Sequence, residues 1–143
     1  MAARTTAKGL GEVVLRVKDL DRMKAFYRDV LVLPVMAEFE DWVFFKLEDG
    51  HEEHARVVAL VKETWTANIR RLKRQPVVAE TTPLHHFALE ISLADYGRER
   101  DRLESAGLEV TTNTYPWVHW RSLYVEDPEG NIVEFVAYDE SVV

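Results

Sequence analysis

Glu134 is the residue whose position most needs a chemical explanation. It is the single carboxylate in the apolar run Ile132-Val133-Glu134-Phe135-Val136, just after a turn reading Asp127-Pro128-Glu129-Gly130-Asn131. A charge among aliphatic side chains is costly unless it is paired, hydrated or bound to a metal. The metal-ligand reading competes with an ion pair to Arg16 or Arg121 across a sheet. His86, in Leu84-His85-His86-Phe87-Ala88-Leu89-Glu90-Ile91, is the second candidate. On spacing alone it is either a satisfied core histidine beside His85 or a metal ligand.

The elements that must position these residues are legible in outline. Residues 11–18 alternate, with Val13, Leu15 and Val17 on one face and Glu12, Val14 and Arg16 on the other, which predicts a strand. Asp19 is placed to cap a helix from about Leu20 to Val30, whose apolar positions Leu20, Met23, Phe26, Tyr27 and Val30 fall on one side. Further strands are expected over Leu31–Ala37 (edge or bulged, because of Pro34), Asp41–Leu47 and His54–Val61, with Glu48-Asp49-Gly50 as a turn. The polar stretch 62–82 reads as a linker with a short helix near Thr66–Arg74, and Trp65 is a possible binding residue within it. Then Pro83–Ile91 predicts a strand, Leu93–Ala106 a helix ended by Gly107, and Leu108–Thr112, Trp117–Val125 and Asn131–Tyr138 three more strands. Pro128 and Gly130 supply the backbone angles of a turn joining the last two.

The two halves repeat. Glu12-Val13-Val14-Leu15-Arg16-Val17 superposes on His86-Phe87-Ala88-Leu89-Glu90-Ile91 with the same face assignments, and each half reads βαβββ. The expected fold is therefore α+β: two βαβββ modules forming a curved mixed sheet with helices on the convex side. Module one spans about 10–61 and module two about 83–138, within a single domain covering 1–143. Glu12 and His86 then hold equivalent positions on the concave face.

Composition narrows the function. The chain has 143 residues, 47% hydrophobic and 30% charged, the balance of a globular protein rather than a disordered one. It has no cysteine, which excludes disulfides, thiolate catalysis and Cys-based metal sites. The formal net charge of −7 argues against nucleic acid as a partner. The basic cluster Arg70-Arg71-Leu72-Lys73-Arg74 reads as a solvated helix face. No apolar run approaches the length of a membrane span, and no signal-peptide core is evident, so a cytoplasmic location is expected.

The paired modules resemble the vicinal oxygen chelate superfamily of glyoxalases, bleomycin-resistance and fosfomycin-resistance proteins and extradiol dioxygenases. The resemblance also rests on Val17-Lys18-Asp19-Leu20-Asp21 leading to Ala25-Phe26-Tyr27-Arg28-Asp29-Val30-Leu31, on the run from Leu84 to Ile91, and on Tyr124 to Phe135. It covers about residues 10–138. It implies metal ligands on the first and last strand of each module, which fall on Glu12, His86, a position near Ala59, and Glu134. Glu12 stands where His is usual, and Ala59 removes a fourth ligand. Tyr124, ten residues before Glu134, matches a tyrosine of the dioxygenases and is the implied proton donor. Their acid–base histidine has no clean match: Arg56 falls nearest, with His54 two residues before it. Val32 departs from a glycine that normally follows the first helix.

One imidazole and two carboxylates form a hard-to-borderline donor set, suited to Fe, Mn, Ni, Zn or Mg, with the oxygen-rich version leaning to Mn or Mg. Three protein ligands leave open positions for two neighbouring oxygens of a small substrate. The expected function is thus a metal-dependent enzyme of the glyoxalase/dioxygenase type, with Glu12, His86 and Glu134 on the ion and Tyr124 or His54 moving a proton. Arg56, His85, His119 and Trp120 are expected to line the substrate pocket. Glu12, Glu134 and Tyr124 have plainer readings: an exposed or paired carboxylate, an ion pair and a wall residue. The competing function is a metal-free module that sequesters a small molecule, as bleomycin-resistance proteins do. Exposed sheet edges lead to the expectation of a homodimer.

Overall fold

The structure, a computed structural model, describes residues 9–50, 52, 54–65 and 84–143. The chain divides into two compact units, Met1–Val77 and Val78–Val143, and that boundary falls inside the expected linker. The helix expected near 66–74 and its basic cluster lie outside the described residues. Among the described residues no helix is long and apolar enough to cross a membrane.

Both units show the βαβββ order. The first contains β1 (Glu12–Val17), α1 (Leu20–Ala25), β2 (Val35–Glu38), β3 (Trp42–Asp49) and β4 (Ala55–Lys62). The second contains β5 (His86–Glu90), α2 (Leu93–Ser105), β6 (Thr111–Tyr115), β7 (Trp120–Glu126) and β8 (Ile132–Tyr138). The sheets are ordered β1-β4-β3-β2 and β5-β8-β7-β6. In each, the last strand runs parallel to the first and antiparallel to the third. The interior strands are therefore β4 and β3 in the first sheet and β8 and β7 in the second.

In the first unit Asp19 caps α1 as its sequence position requires, accepting the Arg22 amide at 3.0 Å. Leu20 and Met23 are buried. The expected helix continues from Phe26 to Val30 as a wide π turn, closed by Leu31 N–H on Phe26 O and Leu33 N–H on Tyr27 O, both at 3.0 Å. Val32 follows at φ +58°, the left-handed conformation that ends helices and that glycine adopts most easily. The chain up to Pro34 is used in leaving the helix, so β2 starts at Val35 rather than Leu31. It is an edge strand whose register slips between Val35 and Ala37, as Pro34 suggested. β3 runs two residues past its expected end. Glu48 and Asp49 pair with Arg56 and Ala55 instead of turning, and Glu48 accepts Arg56 Nη1 at 2.6 Å.

In the second unit Gly107, at φ +86°, follows α2, and Leu108 N–H bonds back to Leu103 O at 3.2 Å. Residues 108–110 thus leave the helix, and β6 lies three residues later than its polar, non-alternating sequence suggested. Pro116–Val118 forms a 3-10 turn, which delays β7 to Trp120. Each sheet turns one apolar face to its own helix. Leu15, Val17, Val43, Phe45, Val58 and Leu60 are buried in the first unit, and Leu89, Leu103, Leu123, Val125, Val133 and Phe135 in the second.

Candidate functional site

The register of the second unit assembles the site. On β8 Glu134 has Ala88 of β5 on one side and Tyr124 of β7 on the other. His86 is opposite Ile132, two residues before Glu134, so the period-two alternation of strands puts His86, Glu134 and Tyr124 on one face. The β7–β8 turn fixes that register. Buried Asp127 accepts the Glu129 and Asn131 amides on Oδ1 at 2.9 Å and Asn131 Nδ2 on Oδ2 at 2.7 Å. Gly130 takes φ +83°.

Glu134 is 3% exposed and both its oxygens are engaged. His86 Nε2 stands 3.1 Å from Oε2. The Tyr124 hydroxyl donates to Oε1 at 3.2 Å and is itself 2.6 Å from the Tyr115 hydroxyl. On the far side of the imidazole, His86 Nδ1 lies 2.7 Å from His85 Nδ1. Five side chains thus form a chain, Tyr115–Tyr124–Glu134–His86–His85. The Tyr124 phenol is held strongly above its ordinary range, first by burial and then by its hydrogen bond with Tyr115 and the Glu134 charge. It is a neutral donor across the physiological range. His85, His86, Tyr115 and Tyr124 open onto a cavity of about 670 Å³ whose lining also includes Glu109 and Glu126.

Three of the remaining candidates, Glu12, His54 and Arg56, belong to the first unit. Glu12, on β1, is opposite Val57 in the first unit. His54 precedes β4, and Arg56 is engaged by Glu48. His119 Nδ1 is 2.7 Å from the Val142 carbonyl, and its ring packs on Tyr138 at 5.9 Å. It ties down the C-terminal residues, and neither it nor Trp120 lines the cavity. Arg121, weighed as an ion-pair partner for Glu134, instead donates to Asp139 at 2.7 Å and lies over the Tyr96 ring. Trp65 meets Trp42 edge-on at 4.9 Å, within the first unit. Among the described residues no group of three or more His, Asp or Glu side chains is gathered as a metal-holding cluster. Tyr115 escaped sequence reasoning because the expected strand ended at Thr112. Glu109 and Glu126 carried no distinguishing pattern.

The repeat makes the asymmetry between the units explicit. Ala59 sits opposite Val14 and Phe44, as Glu134 sits opposite Ala88 and Tyr124. The polar pair of the second unit is Ala and Phe in the first.

Comparison with known proteins agrees with this architecture. The Glyoxalase/Bleomycin resistance protein/Dioxygenase superfamily matches residues 9–135, and the chain belongs to that family. Biphenyl-2,3-diol 1,2-dioxygenase of Paraburkholderia xenovorans is 31% identical over 135 residues, covering 92% of this chain and 41% of that protein. The protein of the same name from Metapseudomonas furukawaii has the same identity and coverage. The chain thus spans about two-fifths of the length of the curated relatives it matches. Lactoylglutathione lyase from Agrobacterium tumefaciens is similar in structure, with TM-score 0.72, 26% identity, and 93% of this chain and 96% of that one covered. A variant of the fosfomycin resistance protein FosX from Listeria monocytogenes, complexed with Mn(II) and a dihydroxypropylphosphonic acid, shares the fold at TM-score 0.62 and 18% identity, over 91% and 92% of the two chains. The superfamily includes metal-dependent dioxygenases, lyases and fosfomycin-resistance enzymes.

Proposed function

We propose that the protein is a metal-dependent enzyme of the glyoxalase/dioxygenase type, in which a divalent ion on His86 and Glu134 chelates neighbouring oxygens of a small substrate. The observation that carries this reading is the 3.1 Å approach of His86 Nε2 to Glu134 Oε2 on a central strand. An imidazole nitrogen and a carboxylate oxygen are donors that a divalent ion of this kind accepts, so the pair would hold it. For His86 to bind through Nε2, the ring carries its proton on Nδ1, and His85 Nδ1 stands ready to accept it. Glu12 is the third ligand that the family pattern supplies.

When bound, the ion polarises the substrate oxygens and stabilises negative charge developing on them. The chain's own groups do the rest. Tyr124 keeps its proton on Glu134 with its hydroxyl at the cavity wall, and the cavity holds a ligand of modest size. Of the relatives' reactions, ring opening of an aromatic vicinal diol agrees best with the similarity to the two biphenyl-diol dioxygenases. The sheet edges further argue for a homodimer.

A metal-free binding protein is the second reading, favoured by the same contact, since His86 and Glu134 can satisfy each other directly as an ion pair. Metal analysis of the purified protein, before and after soaking with Mn(II) or Fe(II), separates the two. About one ion per chain, reduced by Glu12→Gln, supports the enzyme reading with Glu12 as a ligand. Well under one ion after soaking leaves the binding-protein reading.

A further inference from the structure

Tyr115 ends the edge strand β6, immediately before the Pro116–Val118 turn. The residue of β6 opposite Tyr124 is Thr111, whereas Tyr115 is opposite Trp120. Four residues of strand span about 13 Å, so the two phenols meet only because their side chains lean toward one another along the sheet. Ser122, between them on β7 and opposite Asn113, is completely buried. The hydroxyls meet at 2.6 Å, at the short end of O–H···O contacts, which cluster near about 2.7–2.8 Å.

The direction of the protons follows from chemistry. An ionised carboxylate only accepts, so the Tyr124 proton goes to Glu134 Oε1. The Tyr124 oxygen then accepts from Tyr115. Tyr115 donates to Tyr124, Tyr124 donates to Glu134, and Oε1 is occupied. Oε2 is the oxygen left facing His86.

We propose that Tyr115 is a positioning residue: by holding Tyr124 on Glu134 Oε1, it presents Oε2 beside His86 as the single carboxylate oxygen that takes the ion. This rests on the metal-dependent reading of the site. Without the Tyr115 hydroxyl, the Tyr124 oxygen loses its 2.6 Å partner, and its hold on Glu134 Oε1, at 3.2 Å, is weakened. Partners one step removed from a metal typically change its affinity by about 10–100-fold.

The test is a double-mutant cycle read by Mn(II) titration calorimetry on the full chain. Tyr115→Phe keeps the ring and removes only the hydroxyl. It is expected to weaken Mn(II) about tenfold. Tyr124→Phe is expected to weaken it at least as much, and the double variant no further than Tyr124→Phe alone, because Tyr115 acts only through Tyr124. Wild-type affinity in Tyr115→Phe overturns the inference while leaving the metal reading intact. So does a Tyr115→Phe loss that persists undiminished in the Tyr124→Phe background, with a matching drop in the metal-free unfolding midpoint. A wild-type protein that takes up no Mn(II), Fe(II) or other divalent ion overturns the metal reading itself, and the inference with it.

Discussion

Tyr124 and Glu134 face each other as directly opposed residues of β7 and β8, and the phenol donates to the carboxylate at 3.2 Å. The pairing favours a hydrogen-bonding role for Tyr124 over that of cavity wall alone. Burial, the Tyr115 hydrogen bond and the adjacent charge keep its proton in place, so it is suited to donating a hydrogen bond and not to acting as a base. With the divalent ion saturating, Tyr124→Phe is expected to lower turnover by about 100-fold with little change in KM. A wall residue would show the reverse pattern, with KM raised and kcat kept. Steady-state kinetics on any vicinal diol that the wild type turns over distinguishes them.

The cavity carries a charge preference. Glu109, Glu126 and Asp127 line it, and none of its lining residues is Lys or Arg. An anionic substrate would meet these carboxylates with no lysine or arginine in the lining to offset them. A neutral vicinal diol is expected to bind about tenfold more tightly than its carboxylated or sulfonated analogue, with the gap narrowing as salt rises. Equal affinities at low salt would remove the role assigned to these carboxylates.

Much of the fold is legible in the sequence. The alternation around Glu12 and His86 gave the repeat, and the repeat gave the βαβββ order of both units. Asp19 and Gly107 marked helix ends correctly, because capping depends on local backbone geometry. The exposed, all-polar β6 was misplaced because it lacks alternation, and its register is set by β7. Tyr115 was missed for that reason, its partnership with Tyr124 being a tertiary contact. His119, a pocket candidate by composition, bonds Val142 through a left-handed backbone that no pattern announces.

Val32 stores strain. A β-branched residue at φ +58° costs roughly 1–2 kcal/mol relative to glycine, which adopts that angle freely. Val32 is also 61% exposed, so little packing is lost on truncation. Val32→Gly is expected to stabilise the protein by about 1 kcal/mol, raising the thermal midpoint by about 4 °C. Calorimetric unfolding checks it, and a lower midpoint would refute the strain.

Asp139 links the C-terminal residues to pH. Its carboxyl is held down at about 2, first by the Ser141 hydroxyl and then by Arg121 and the Ser141 amide. An unfolded aspartate titrates near about 4. The depressed folded value means the stabilisation is fully present above about pH 4 and is lost as pH falls toward 2. Asp139→Asn is expected to be less stable than wild type at neutral pH, with the difference shrinking below about pH 4. Urea unfolding across that range reads it, and a difference that stays constant with pH would count against the linkage.

The proposed function places a divalent ion on His86 and Glu134. Mn(II) titration calorimetry of the wild type, His86→Ala and Glu134→Gln tests it most directly. The prediction is about one ion per wild-type chain and at least about 100-fold weaker binding in each variant. Variants that bind Mn(II) as tightly as the wild type would contradict it.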